Sequence, residues 1–149
     1  MPKFDKKHIV NHSAAKMFDL VADVEKYPEF LPLCSGLKIR STREKQGKTV
    51  LIADMSVSYK MLRETFTSQV ILNSEDLQID VKYLDGPFRY LDNRWRFTDL
   101  EDGKCEVSFE IDYEFKSKML GIVMGTMFEI AFSRFTAAFE ERADKIYSA

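Results

Sequence analysis

The sequence is poor in the residues that metal centres, nucleophilic enzymes and phosphate-binding loops depend on. It holds two histidines and two cysteines in 149 residues. His8 and His12 lie together near the start with no third ligand at metal spacing, so a site needing three or four donors is not assembled. Cys34 and Cys105 have neither ligand spacing nor a base placed beside them, and are expected as small buried hydrophobes in a reducing compartment. Glycine is scarce too. Gly121 and Gly125 sit within an apolar helical stretch and after no Walker-type lysine motif, which excludes a phosphate loop. Their spacing instead makes a small-residue groove that lets a helix approach a sheet or a ligand tail closely.

Charge of one sign is also lacking. The formal net charge is -2 and the pI about 5.8, which argues against a generic nucleic-acid binder and leaves only a local basic patch open. No uninterrupted apolar run reaches the roughly 18 residues of a membrane span. The start, Met1-Pro2-Lys3-Phe4-Asp5-Lys6-Lys7-His8, lacks the apolar stretch of a secretion signal. The expected location is the cytoplasm, with the cytoplasmic face of the inner membrane as a surface the protein would meet. Repeats, low-complexity tracts and Pro/Gly/Ser-rich linkers are missing, so residues 1–149 read as one domain.

What the chain has in excess is phenylalanine, twelve copies beside six tyrosines and one tryptophan. Each buried ring contributes roughly 1.5–3 kcal/mol of transfer free energy. So many rings either fill a large core or line a cavity that an apolar ligand fills.

Lys3 to Asn11 reads as a short strand near a sheet edge. Ser13 is a plausible N-cap for a helix burying Met17, Leu20, Val21 and Val24 on one side. Pro28 and Pro32 push the residues before them out of helical geometry, leaving a short turn around Glu29 to Leu31. From Gly36 to Lys116 the dominant period is two. Cys105, Val107, Phe109, Ile111, Tyr113 and Phe115 alternate with polar residues, as do Leu77, Ile79, Val81 and Tyr83. Turn signals at Gln46-Gly47, Asn73 to Asp76, Asp85-Gly86-Pro87 and Glu101-Asp102-Gly103 divide this stretch into about six strands. With the first strand the count is seven, and short connections make it an antiparallel meander.

From Met119 to Tyr147 the period becomes helical. Met124, Phe128, Phe132, Phe135, Phe139, Ala143 and Ile146 form one stripe. The other side is charged in its later half but carries Leu120, Val123, Met127 and Ile130 in its earlier half, a face that needs a membrane, a partner or burial. Lys116 and Lys118 stand beside it, where anionic headgroups would be met. The expected architecture is α+β: a curved, roughly seven-stranded antiparallel sheet gripping a long C-terminal helix.

Four segments carry a resemblance: Tyr27-Pro28-Glu29-Phe30-Leu31-Pro32-Leu33-Cys34; Arg63-Glu64-Thr65-Phe66-Thr67-Ser68-Gln69-Val70; Asp85-Gly86-Pro87-Phe88 with Leu91, Asn93, Trp95 and Phe97; and Ala138-Phe139-Glu140-Glu141-Arg142-Ala143. In this order they resemble the coenzyme Q-binding family of START-like, polyketide cyclase-like domains, which also contains bacterial ribosome-association toxins. Leu33 stands where many members carry an aromatic. The resemblance implies a helix-grip fold with a hydrophobic tunnel and no resident cofactor. Its quinone-binding branch implies ubiquinone as bound ligand and delivery to respiratory complexes. Its other branch implies a toxin acting on a ribosomal subunit.

The side chains expected to line such a tunnel are Phe30, Leu31, Phe66, Leu91, Asn93, Trp95, Phe109, Tyr113, Met124, Phe128, Phe132 and Phe135. Tyr27, Phe30 and Leu31 form either a lid over one end of the core or a gate for the tail. Asn93, an amide in an apolar row, bonds either to neighbouring backbone or to a quinone carbonyl. No convergent acid-base set can be assembled from the sequence, so a cyclase or dehydratase is the weakest reading. The leading expectation is a ubiquinone carrier; the alternative is a ribosome-directed inhibitor.

Overall fold

The computed structural model describes residues 3–147. Seven strands form one antiparallel sheet: β1 (Lys3–Val10), β2 (Cys34–Lys45), β3 (Lys48–Tyr59), β4 (Leu62–Asn73), β5 (Gln78–Asp85), β6 (Phe88–Asp99) and β7 (Cys105–Phe115). Their spatial order is β1-β7-β6-β5-β4-β3-β2, so six strands follow the chain as a meander and β1 closes onto β7 at an edge. Two helices complete the domain, α1 (Ala14–Ala22) and α2 (Lys118–Tyr147).

Local chemistry accounts for these elements. The Ser13 hydroxyl accepts from the Lys16 amide at 3.2 Å, the N-cap bond that starts α1. α1 buries Met17, Phe18, Leu20 and Val21. The proline-punctuated segment differs from expectation. A six-residue 3-10 helix runs from Val24 to Glu29, earlier and longer than a turn at Glu29 to Leu31. Pro28 fits inside it because its fixed φ suits a tight helix. The turn ends where the amides of Phe30 and Leu31 both bond the Tyr27 carbonyl.

Strand alternation holds along β7, where every second residue from Cys105 to Phe115 is buried. Gln46 and Gly47 both take positive φ between β2 and β3, the backbone a two-residue hairpin turn demands.

α2 lies against the concave face, and its buried side is broader than a single stripe. Met124, Met127, Phe128, Ala131, Phe132, Phe135, Thr136, Phe139 and Ala143 are all buried. That double-width face, stepping by three and four, is what a curved sheet touching both flanks of a helix requires. Met127 is therefore a core residue, 0% exposed, and not part of an outer face. Leu120 and Ile130 are half-buried rather than outward. Ile146, expected on the buried stripe, is 47% exposed, because the last turn packs toward α1 through Tyr147, whose hydroxyl donates to the Lys16 carbonyl. By length and composition α2 could cross a membrane; its buried side instead carries the rings that pack on the sheet.

The two histidines tie the chain ends together. His8 Nε2 lies 2.5 Å from Glu140 Oε1 and His12 Nε2 lies 2.7 Å from Asp144 Oδ1. Two imidazoles four residues apart thus meet two carboxylates four residues apart on one face of α2.

Candidate ligand cavity

Between the sheet, the middle of α2 and the Val24–Glu29 turn lies an apolar cavity of about 80 Å³. Eight of the side chains expected to line it do so: Leu31, Phe66, Leu91, Asn93, Trp95, Phe109, Phe132 and Phe135. The wall is completed by Tyr27 and Val24, by Leu37, Ala53 and Met55 from β2 and β3, and by Ser68, Val70, Ile79, Val81, Ile111 and Phe139. Ser68 was discoverable in the sequence, since it alternates with Phe66 and Val70 along β4.

Four expected positions do not reach the cavity. Tyr113 and Phe128 belong to a solid ring cluster around Phe88, whose centroid lies 5.8 Å from Tyr113, 5.0 Å from Phe128 and 5.0 Å from Phe115. Met124, one turn earlier on α2, is buried outside the cavity. Aromatic packing closes that end of the hollow. Phe30 lies outside the other end, half-buried, its ring 5.3 Å from Phe139.

The size has consequences. A cavity of about 80 Å³ holds several waters, each needing roughly 10–15 Å³, or a short apolar group. It is well below the roughly 300–1,000 Å³ of pockets for drug-sized ligands. A long prenyl chain therefore needs the rings or the lid to move.

Polar groups in the wall are few and mostly committed. The Tyr27 hydroxyl donates to the Val21 carbonyl, and burial drives its pKa well above the ordinary phenol value. Asn93 Nδ2 donates to the Glu110 carbonyl at 2.8 Å, and its Oδ1 accepts from Trp95 Nε1 at 3.1 Å. The backbone reading of Asn93 holds for that amide hydrogen, and the indole takes the amide oxygen. Ser68 Oγ is buried with no partner among the described residues. No lining residue is charged.

The lid is held from above. Glu29 and Arg142 bond at 2.8 Å, and Tyr27 and Phe30 both stack edge-on against Phe139. Away from the cavity, the start of α2 exposes Met119 (73%), Ile122 (80%) and Val123 (48%), flanked by exposed Lys116 and Lys118. Of the apolar residues expected to form that outer patch, only Val123 is in it. Ile122, one residue earlier and more exposed, was not foreseen.

Among the described residues no group of three or more His, Cys, Asp or Glu is placed to hold a metal.

Comparison with known proteins fixes the lineage. Residues 10–140 match the family described as polyketide cyclase / dehydrase and lipid transport. The chain is 36% identical to the ribosome association toxin RatA of Vibrio cholerae, covering 99% of both. It is 28% identical to the mitochondrial coenzyme Q-binding protein COQ10 homolog B of Xenopus laevis, over 97% of this chain and 59% of that protein. The solution structure of the 18 kDa protein CC1736 from Caulobacter crescentus shares the whole fold at a TM-score of 0.81, with 31% identity and 100% of each chain covered. A matching family profile, end-to-end likeness to RatA and a helix-grip sheet around an apolar cavity make this chain a member of the polyketide cyclase / dehydrase and lipid-transport family, with the START-like fold.

Proposed function

We propose that this domain is a ribosome-directed regulator of the RatA type, a binding module whose apolar cavity takes a lipid-like guest. The observation that carries the first half is the 36% identity to RatA running over 99% of both chains. The likeness to the coenzyme Q-binding protein is weaker, at 28%. At about 80 Å³ the cavity accommodates a short apolar group but no polyprenyl tail without rearrangement. The expectation of a ubiquinone carrier thus gives way to its alternative as the leading reading.

Sedimentation tests it. The purified full chain, added to dissociated ribosomal subunits, should travel with one subunit and lower the yield of joined particles. Failure to co-sediment with either subunit overturns the proposal.

The quinone reading stands second, supported by the neutral apolar wall and the COQ10 likeness. Under it, the exposed Met119, Ile122 and Val123 with Lys116 and Lys118 would seat the domain on the cytoplasmic face of the inner membrane, beside respiratory complexes. Organic extraction of protein purified from its native host, followed by mass spectrometry, should then yield ubiquinone.

A further inference from the structure

We propose that Ser68 is the polar anchor of the cavity, and that the cavity selects a neutral apolar molecule bearing one acceptor oxygen, a ketone or ester in preference to a carboxylate. The proposal rests on the reading that the cavity takes a guest, and adds which chemistry it takes.

Ser68 is 5% exposed, lines the cavity, and its hydroxyl has no hydrogen-bond partner among the described residues. A buried hydroxyl left without a hydrogen bond is destabilising. Such a cost persists where something other than the protein satisfies the group. The other polar groups of the wall are engaged, since Tyr27 donates to Val21 and Asn93 bridges Glu110 and Trp95. Ser68 thus presents the one wholly uncommitted O–H in the wall, a donor for a guest oxygen.

The backbone singles out the same place. β4 and β5 pair Thr67 with Asp85 and then Ser68 with Tyr83, so one residue is skipped at this step. A register shift of this kind re-aims a side chain, and such irregularities gather beside binding sites. Beyond Ser68, the next inward position across β5 leads to Val81, which pairs with Asn93 on β6. Ser68 on β4 and Asn93 on β6 thus flank β5 on the cavity side of the sheet.

The charge of the guest follows from the wall. With no lysine, arginine or histidine lining the cavity, an ionised carboxylate would lose its hydration and gain no counter-charge. A carbonyl loses far less, and a single donated hydrogen bond suffices for it.

The test uses three short probes of one chain length, 2-butanone, butane and butanoate, titrated into the full chain and into Ser68→Ala at neutral pH by ligand- and protein-observed NMR. Replacing the hydroxyl should lower the ratio of ketone affinity to butane affinity by about three- to tenfold, the worth of one net hydrogen bond, and the wild-type chain should bind butanoate least. The affinity of Ser68→Ala for butane should be unchanged. Its melting temperature should be unchanged or higher, because the substitution removes an unsatisfied hydroxyl. A ketone-to-butane ratio that is the same in both chains, as when water already serves the hydroxyl, overturns the anchor but leaves the cavity as a site. Binding of none of the three probes by the wild-type chain removes the guest-binding reading together with the anchor.

Discussion

The guanidinium of Arg142 lies 5.1 Å from the centre of the Phe30 ring, so the C-terminal helix reaches over the outside of the lid. The same group bonds Glu29 at 2.8 Å, joining both ends of the contact to the turn that covers the cavity. A cation–ring contact of this kind is worth about 0.5–1 kcal/mol, and a partly exposed ion pair about 0–1 kcal/mol. Arg142→Ala should therefore cost only about 1–2 kcal/mol of stability while loosening the lid. Uptake of an apolar fluorophore, followed by stopped flow, should quicken several-fold, and amide exchange over residues 24–31 should rise. Unchanged uptake with normal binding would place the way in elsewhere.

The start of α2 gives a sharper contrast between neighbours. Met127 is 0% exposed and Ile122 is 80% exposed, though both belong to one apolar stretch. Met127→Glu would place a carboxylate in the apolar core, a cost of several kcal/mol that the domain cannot absorb easily. Thermal unfolding should drop sharply or expression should fail. Ile122→Glu combined with Val123→Glu should leave the melting temperature within a few degrees. If the patch docks, this folded variant should lose liposome flotation or subunit binding, and retention of both would show the patch to be idle surface.

Those two residues also show what could be learned from the sequence. Period-two alternation exposed the β strands, and β7 follows it at every position, because one face of that strand meets the core and the other meets water. The cavity wall from β6, Leu91, Asn93 and Trp95, followed from the same rule. The helix was harder. A wheel drawn on α2 separates stripe from opposite face, but how wide a stripe becomes depends on the curvature of what it packs against, and this is a tertiary property. Met127 crossed into the core for that reason, and Ile146 left it because the last turn packs toward α1 through Tyr147. Which rings line a hollow and which pack solidly, Phe132 against Phe128, was likewise decided by facing elements such as Phe88 and Phe115.

Gly86 is held by sterics and not by sequence fashion. Its φ is +146°, and a Cβ added there would stand 2.6 Å from Cβ of Phe66, a cavity-lining ring. Gly86→Ala must shift β4 or the β5–β6 turn, at a cost of roughly 1–3 kcal/mol for strain and overpacking. Chemical denaturation should show that loss. Because Phe66 would move, affinity for any guest should fall as well. A stability equal to that of the parent chain would mean the turn relaxes freely.

The last prediction concerns pH. Cys34 is 7% exposed and Cys105 is 0% exposed, and burial pushes both thiols from the ordinary 9.0 up to about 11. The folded chain therefore keeps protons that the unfolded chain releases. With the folded values raised, the associated stability is complete below about pH 8, declines as pH passes the unfolded value near 9, and is gone above about 11. At its steepest each thiol contributes a slope of about 1.4 kcal/mol per pH unit. Urea unfolding at pH 8, 9.5 and 10.5 should show this decline, and Cys34→Ala with Cys105→Ala should flatten it, separating the thiols from the buried Tyr27 phenol, which burial raises too. Iodoacetamide at pH 8 should leave both cysteines of the native chain unmodified and label both after unfolding, since the reactive species is the thiolate that burial suppresses. Rapid labelling of folded protein at pH 8 would contradict the burial of these sulfurs, and with it the packing between the lid segment and β2 on which Cys34 depends.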